Sequence, residues 1–257
     1  MPSPHTNADG APLRPESSEA APLQDETKGE RLWIIVGDLH GDAALLTDVL
    51  ETIPELPHAE GVIMTGDISR AGGGVPSARS VIEAAEALCP VVLAQIGNID
   101  QPQVDTWLDE KGINLHRKAR EIAPDTAIIG VGGSTFTPFG TPSEFPEARY
   151  AEWLKELAAR AADHRRIILV SHNPPKDTVC DRTGNGQHVG SRAVREFIEE
   201  RQPAVCLCGH VHEAAGMQLI GHTQVLNPGS LGSGGYALLR LGEETELELR
   251  RTGSLSA

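Results

Sequence analysis

Aromatic residues are scarce in this chain, at 4% of its 257 residues, so whatever core it forms must be aliphatic. Positive charge is scarce as well. Lys and Arg number 22 against 36 Asp and Glu, a formal net charge of -14. Such a balance works against nonspecific attraction to nucleic acid or to an anionic membrane, both of which need Lys and Arg at the surface. No run of 18 apolar residues offers a membrane span, and no secretory leader pattern opens the chain. The 4 cysteines (Cys89, Cys180, Cys206 and Cys208) lack the spacing of a disulfide-dense secreted module. We expect Cys206 and Cys208 on opposite sides of a sheet, which disfavours joint chelation, and buried as free thiols. A reduced, cytoplasmic protein is the expectation that follows.

The hydrophobic fraction, 39%, is enough for one large α/β domain or two small ones. Residues 1–29, rich in Ala, Pro, Ser and Glu, read as a disordered tail ahead of a domain spanning 30–257. After the tail, short apolar runs alternate with amphipathic segments. Strands are predicted over Leu32–Val36, Val62–Thr65, Val91–Ile96, Ala127–Val131, Arg166–Val170 and Ala204–Cys208. Helices are predicted near Asp42–Thr52 with Asp42 as N-cap, Ser77–Leu88, Gln103–Lys111, Pro146–Ala162 and Ser191–Arg201. Ile113–Ile122 reads as a short strand pair. Four more strands are expected at Gly216–Ile220, Thr223–Leu226, Tyr236–Leu241 and Glu246–Arg250. The glycines of Gly72-Gly73-Gly74 read as a rim loop, because no Gly-Lys-Ser/Thr follows to make a phosphate cradle. Asn173–Gly190 is long, polar and without periodicity, a loop length that often carries function.

Five of the apolar runs stop on a residue able to bind a metal. The first ends at Asp38 and His40, the second at Asp67, the third at Asn98, then Ser171-His172, and the last at His210 and His212. In open α/β sheets the carboxyl ends of strands are where sites are built. Oxygen donors mixed with imidazoles suit Mn²⁺, Fe or Zn²⁺ better than Ca²⁺ or a thiolate zinc site. In extended chain Asp38 and His40 would point the same way, as would His210 and His212. Hydrolytic sites with two cations need a bridging carboxylate, and Asp67, alone at its strand end, is the natural candidate.

The ordered set Asp38-x-His40, Gly66-Asp67, Gly97-Asn98-x-Asp100, Ser171-His172 and Gly209-His210-x-His212 resembles the calcineurin-like metallophosphoesterase superfamily. The match runs from about Arg31 to Gly229. Asn227-Pro228-Gly229-Ser230 is similar to the small prokaryotic phosphodiesterases of that superfamily. The resemblance implies a four-layer αββα sandwich of two mixed sheets flanked by helices. It also implies two divalent metal ions, Mn²⁺ foremost, with Fe, Ni or Zn as the other candidates. One ion would take Asp38, His40, Asp67 and His212; the second would take Asp67, Asn98, His172 and His210. Hydrolysis of a small phosphoester by a metal-bridging hydroxide is the activity implied, with Asp67 and Asn98 at its centre.

Many members carry His directly after the motif Asn, as leaving-group acid. Here that position is Ile99, which cannot transfer a proton. Asp100 and His188 are the candidate replacement donors, and Arg70, Arg182 and Arg192 are candidate phosphate contacts. Diesters or activated monoesters are therefore the expected substrates. An inactive metal-binding scaffold, a protein phosphatase and a nuclease are the rival readings. His5, His58, His116, His164 and His222 fall outside the motifs and receive no functional role.

Overall fold

The computed structural model describes residues 29–253, so the tail read over 1–29 lies outside the described residues except for Gly29. In chain order the elements are β1 (Arg31–Val36), α1 (Ala43–Glu51), β2 (Gly61–Met64), α2 (Gly74–Glu86), β3 (Val91–Ala94) and α3 (Pro102–Glu110). Next come β4 (Ala119–Ala123), β5 (Thr126–Val131), α4 (Glu147–Arg160), β6 (Arg166–Ser171), α5 (Arg192–Arg201) and β7 (Val205–Leu207). The described chain finishes with β8 (Gly216–Ile220), β9 (Thr223–Asn227), β10 (Gly235–Leu241) and β11 (Thr245–Arg251).

These strands form two sheets, ordered β11-β10-β1-β2-β3 and β4-β5-β6-β7-β9-β8. Both are mixed. β1, β2 and β3 run parallel, and so do β5, β6, β7 and β9. Antiparallel partners close the sides: β10 against β1, β4 against β5, and β8 against β9. Alternation along β1 explains the stacking. Ile34 and Val36 face the helices of the first half, with Leu46, Val49 and Ile82. Trp33 and Ile35 face the other way, meeting Ile128, Ile168, Leu207 and Leu239 between the sheets. A third apolar layer sets Ile129, Leu169 and Val225 against Tyr150 and Trp153 of α4 and Phe197 of α5. The four-layer αββα sandwich expected from the sequence is the fold observed.

Helix starts follow local chemistry. Asp42 caps α1, its Oδ1 accepting from Leu45 N at 2.9 Å, as predicted. Ser191 caps α5, and Glu147 at the start of α4 accepts from Arg192 N and Ala193 N, tying the two helices together. Pro146 occupies the N-cap position of α4 rather than its first helical turn. The glycine-rich segment is not a separate rim loop throughout, since Gly74 already opens α2. Ile113–Ile122 forms one strand, β4, preceded by isolated bridges at Asn114 and His116, instead of a pair.

One expectation about the cysteines fails. Residues two apart on a strand share a face. Cys206 and Cys208 accordingly lie in the same apolar layer together with Cys180. All three are fully buried free thiols, and burial pushes Cys206 and Cys208 far above the usual thiol range.

Candidate metal centre

All the parallel strands deliver their carboxyl ends to one edge of the sandwich, and there the seven predicted ligands meet. Asp38, His40, Asp67 and His212 each present a donor atom such that all four atoms lie within 4.8 Å of one another. His40 Nε2 and His212 Nε2 are 3.0 Å apart, and His212 Nε2 is 3.3 Å from Asp38 Oδ1. Beside this group, Asn98 Oδ1 lies 3.1 Å from His172 Nε2 and 2.8 Å from His210 Nδ1. His172 Nε2 is 3.5 Å from Asp67 Oδ1, so Asp67 belongs to both groups.

The backbone that aims these side chains is not extended, contrary to the reading of the Asp-x-His and His-x-His pairs. Asp38, His40, Asp67 and His210 have φ of 52°, 50°, 51° and 70°. Left-handed backbone at a residue other than glycine costs energy and persists where the surroundings dictate it. Here they do. Asp38 N donates to Gly66 O, and Leu39 N and His40 N both donate to Asp67 O, so the β1 and β2 exits are laced together. His210 N donates to both oxygens of Asp38 at 3.1 Å. Gly97 is required by close approach: a Cβ there would sit 2.0 Å from Asp67 Oδ1.

Electrostatically the cluster calls for positive charge. Asp38 and Asp67 are 1% and 2% exposed, and a buried carboxylate needs a cationic partner. Burial works to raise Asp67, but His172 outweighs it and holds the carboxyl down at about 2. Burial likewise works to lower His172, yet Asp67 and then Asp38 push it up to about 9. Burial draws His210 down to about 4, and a bond to Asp38 raises His212. A donor set of two carboxylates, four imidazoles and one amide fits divalent cations of the Mn²⁺ and Zn²⁺ kind.

The candidate acids are placed differently from the ligands. Asp100 is fully buried and spends its oxygens on Gly97 N, Ile68 N, Ser69 N and Ser69 Oγ, at 2.6 to 3.0 Å. It staples the loop after Asp67 to the loop bearing Asn98. Burial, with repulsion from Asp67, pushes it up to about 6. His188 pairs with Asp181, Nδ1 to Oδ1, at 2.6 Å. Its neighbours Gln187 and Val189 line the cavity beside the cluster, and His188 is not part of that lining. Arg182 and Arg192 are exposed on either side of that hairpin, the latter facing Glu196. Arg70 lies alongside Gly41, at the α1 side of the cluster. Ile99 is half-buried, and its N–H donates to Asp67 Oδ1 at 3.0 Å.

Some supporting groups escape sequence reasoning. Thr141 Oγ1 accepts from Asn98 Nδ2, and Glu144 Oε1 in turn accepts from Thr141 N and Oγ1. Asn227 lies in a motif noted in the sequence, but its role emerges only here. Its Nδ2 donates to Cys180 O, Gly209 O and Val211 O, which fixes the turn that carries His210 and His212. Phe136 and Phe139, in the proline-bearing segment after β5, stand exposed beside the cluster. The scarcity of aromatics could have drawn attention to two Phe placed in one loop.

The calcineurin-like phosphoesterase family model matches residues 33–214. An uncharacterised protein of Methanocaldococcus jannaschii is 34% identical over 174 residues, covering 66% of this chain and 77% of that protein. Two solved structures share the fold. A dimetal phosphatase from Danio rerio superposes with a TM-score of 0.63 at 14% identity, over 86% of this chain and 96% of its own. A protein of Thermus thermophilus gives 0.60 at 19% identity, over 86% of this chain and 98% of its own.

Proposed function

The chain belongs to the calcineurin-like phosphoesterase family, and we propose that within it this member hydrolyses phosphodiesters or activated phosphomonoesters with the help of two divalent cations. The observation that carries the reading is the sharing of Asp67. Its carboxylate stands in the group with Asp38, His40 and His212, and also 3.5 Å from His172 in the group with Asn98 and His210. Asp38, His40, Asp67 and His212 would hold one ion, and Asp67, Asn98, His172 and His210 the other, with Mn²⁺ foremost. Bound cations would supply a hydroxide nucleophile at neutral pH and neutralise charge on the phosphoryl oxygens.

The chain's own residues decide which esters suit. Ile99, next to Asn98, has no proton to give. Asp100 accepts hydrogen bonds on both oxygens and acts by positioning the loops of Asp67 and Asn98. His188 is engaged with Asp181. With neither candidate acid aimed at the site, the leaving group must be stable as an anion or take its proton from water. Aryl leaving groups, on a diester or a monoester, meet that condition; simple alkoxides do not. The formal charge of -14 weighs against nucleic acid as substrate, leaving small phosphoesters as the class.

The test is turnover of bis(4-nitrophenyl) phosphate with added Mn²⁺, before and after chelation. We expect chelator-sensitive release of nitrophenolate. Ile99 favours one rival, a metal-binding scaffold without catalysis. Full metal loading without turnover would select that rival.

A further inference from the structure

A cavity of about 520 Å³ opens beside the metal-ligand cluster, with His210, Val211, His212 and Glu213 along one wall. Its other walls are the segment Thr135 to Phe139, which follows β5, and the hairpin tip from Thr183 to Val189. Phe136 is 71% exposed and Phe139 is 82% exposed. Of the 4 phenylalanines, the remaining two, Phe145 and Phe197, pack against the apolar layer under α4 and α5. An exposed Leu or Ala is ordinary on a protein surface, but a pair of large rings held in water beside a cleft is informative.

The rings are carried on built walls. Phe139 N donates to Thr137 Oγ1 at 3.1 Å, and Thr137 Oγ1 donates to Glu144 Oε1 at 2.5 Å. Glu144 also holds Thr141, the residue that orients Asn98, so the aromatic loop and the metal cluster share one anchor. Across the cavity, Gly184 N donates to Glu213 Oε1 at 2.9 Å, which pins the hairpin to the segment after His212. Away from His210 and His212 the polar lining is Thr135, Thr137, Thr183, Asn185 and Gln187, with Glu213 as its carboxylate; among the described residues no Lys or Arg lines it. Away from the metal ligands, such walls offer no Lys or Arg to a polyphosphate or an acidic peptide. The cavity has flat apolar faces, and amides and hydroxyls to meet the edges of a ring.

We propose that Phe136 and Phe139 bind a planar ring on the organic group of the phosphoester, and so set the substrate class as esters of aromatic-bearing groups, nucleosides or aryl alcohols. Asn185 Oδ1 is held by Thr183 Oγ1 and Gln187 N, so the Gln187 amide then reads the ring's edge, which would favour a nucleobase over a plain aryl ring. The inference rests on the phosphoesterase reading for the position of the phosphate, but the ring preference is measurable without turnover.

The experiment uses Mn²⁺-loaded protein and the Phe136→Ala/Phe139→Ala double variant, which removes only exposed rings. Binding of thymidine 5′-monophosphate, phenyl phosphate and methyl phosphate is measured by calorimetry. The kcat/KM is measured for the 4-nitrophenyl esters of thymidine 5′-monophosphate and of methyl phosphate, which share a leaving group. We expect ring-bearing ligands to bind roughly tenfold more tightly than methyl phosphate, and the double variant to abolish that margin. The ratio of kcat/KM for the thymidine ester to that for the methyl ester should fall in the double variant, since the leaving-group ring is common to both. Gln187→Ala should weaken thymidine monophosphate and leave phenyl phosphate unchanged if the nucleobase is the source. Equal binding of all three ligands by the native protein, or an equal loss for all three in the double variant, overturns the proposal. Ring-selective binding without hydrolysis of either ester would instead count against the phosphoesterase reading.

Discussion

Asn98 Nδ2 donates to Thr141 Oγ1 at 3.0 Å, and that bond decides which end of the amide faces the imidazoles of His172 and His210. An amide oxygen can ligate a cation, and an amide NH₂ cannot. Thr141 therefore orients a proposed ligand without being one. Thr141→Val keeps the shape and removes the acceptor. We predict a loss of about 10-fold to 100-fold in affinity for one of two Mn²⁺ ions, the usual consequence of deleting a group that orients a ligand. Calorimetric titration of the variant checks it, and unchanged affinity would show that Asn98 needs no such support.

Ile99 stands where a proton donor would serve the leaving group. Ile99→His places an imidazole next to Asn98 at a half-buried position. Hydrolysis of esters with alkyl leaving groups should rise by about tenfold or more, toward the range of general acid catalysis. Hydrolysis of 4-nitrophenyl esters should change little, because that leaving group needs no proton. The ratio of the two rates is the readout, and an unchanged ratio would mean that protonation of the leaving group is not rate-limiting.

His116 lies among Phe145 and Trp153, and its Nδ1 accepts from Gly132 N at 2.8 Å. Burial, with Arg117 adding to it, lowers this histidine to about 3. The folded protein thus keeps it neutral where the unfolded chain, near 6.5, already binds a proton. The contribution to stability is complete above about pH 6.5 and is lost as pH falls from there toward about 3. The slope is up to about 1.4 kcal/mol per pH unit. Urea midpoints of metal-free protein measured between about pH 7 and pH 4 should fall less steeply in His116→Gln than in the native protein, by up to that slope. A parallel pH dependence in the two proteins would remove His116 as its source.

Much of the fold and of the site is legible in the sequence. Strands buried on both faces show as unbroken apolar runs such as Leu32–Val36, and Asp42 announces α1 by its capping chemistry. The residues that meet at the site could be picked out because each ends such a run. Their aim could not be, because left-handed backbone at Asp38, His40, Asp67 and His210 is imposed by bonds from a neighbouring strand exit. Thr141 supports Asn98 from 43 residues away in a segment with no periodicity. His188 looked available in a polar loop, but its pairing with Asp181 arises only when the hairpin closes. The misplaced faces of Cys206 and Cys208 had a different origin, since strand alternation itself puts them together.

The sharing of Asp67 between two groups of donors is the centre of the account. The direct test is elemental analysis of purified protein equilibrated with Mn²⁺ and freed of excess, alongside Asp67→Asn. We predict two ions per chain in the native protein, with a marked loss of metal in the variant and of bis(4-nitrophenyl) phosphate turnover with it. A native protein that binds one ion or none, or a variant that retains both, would contradict the shared site.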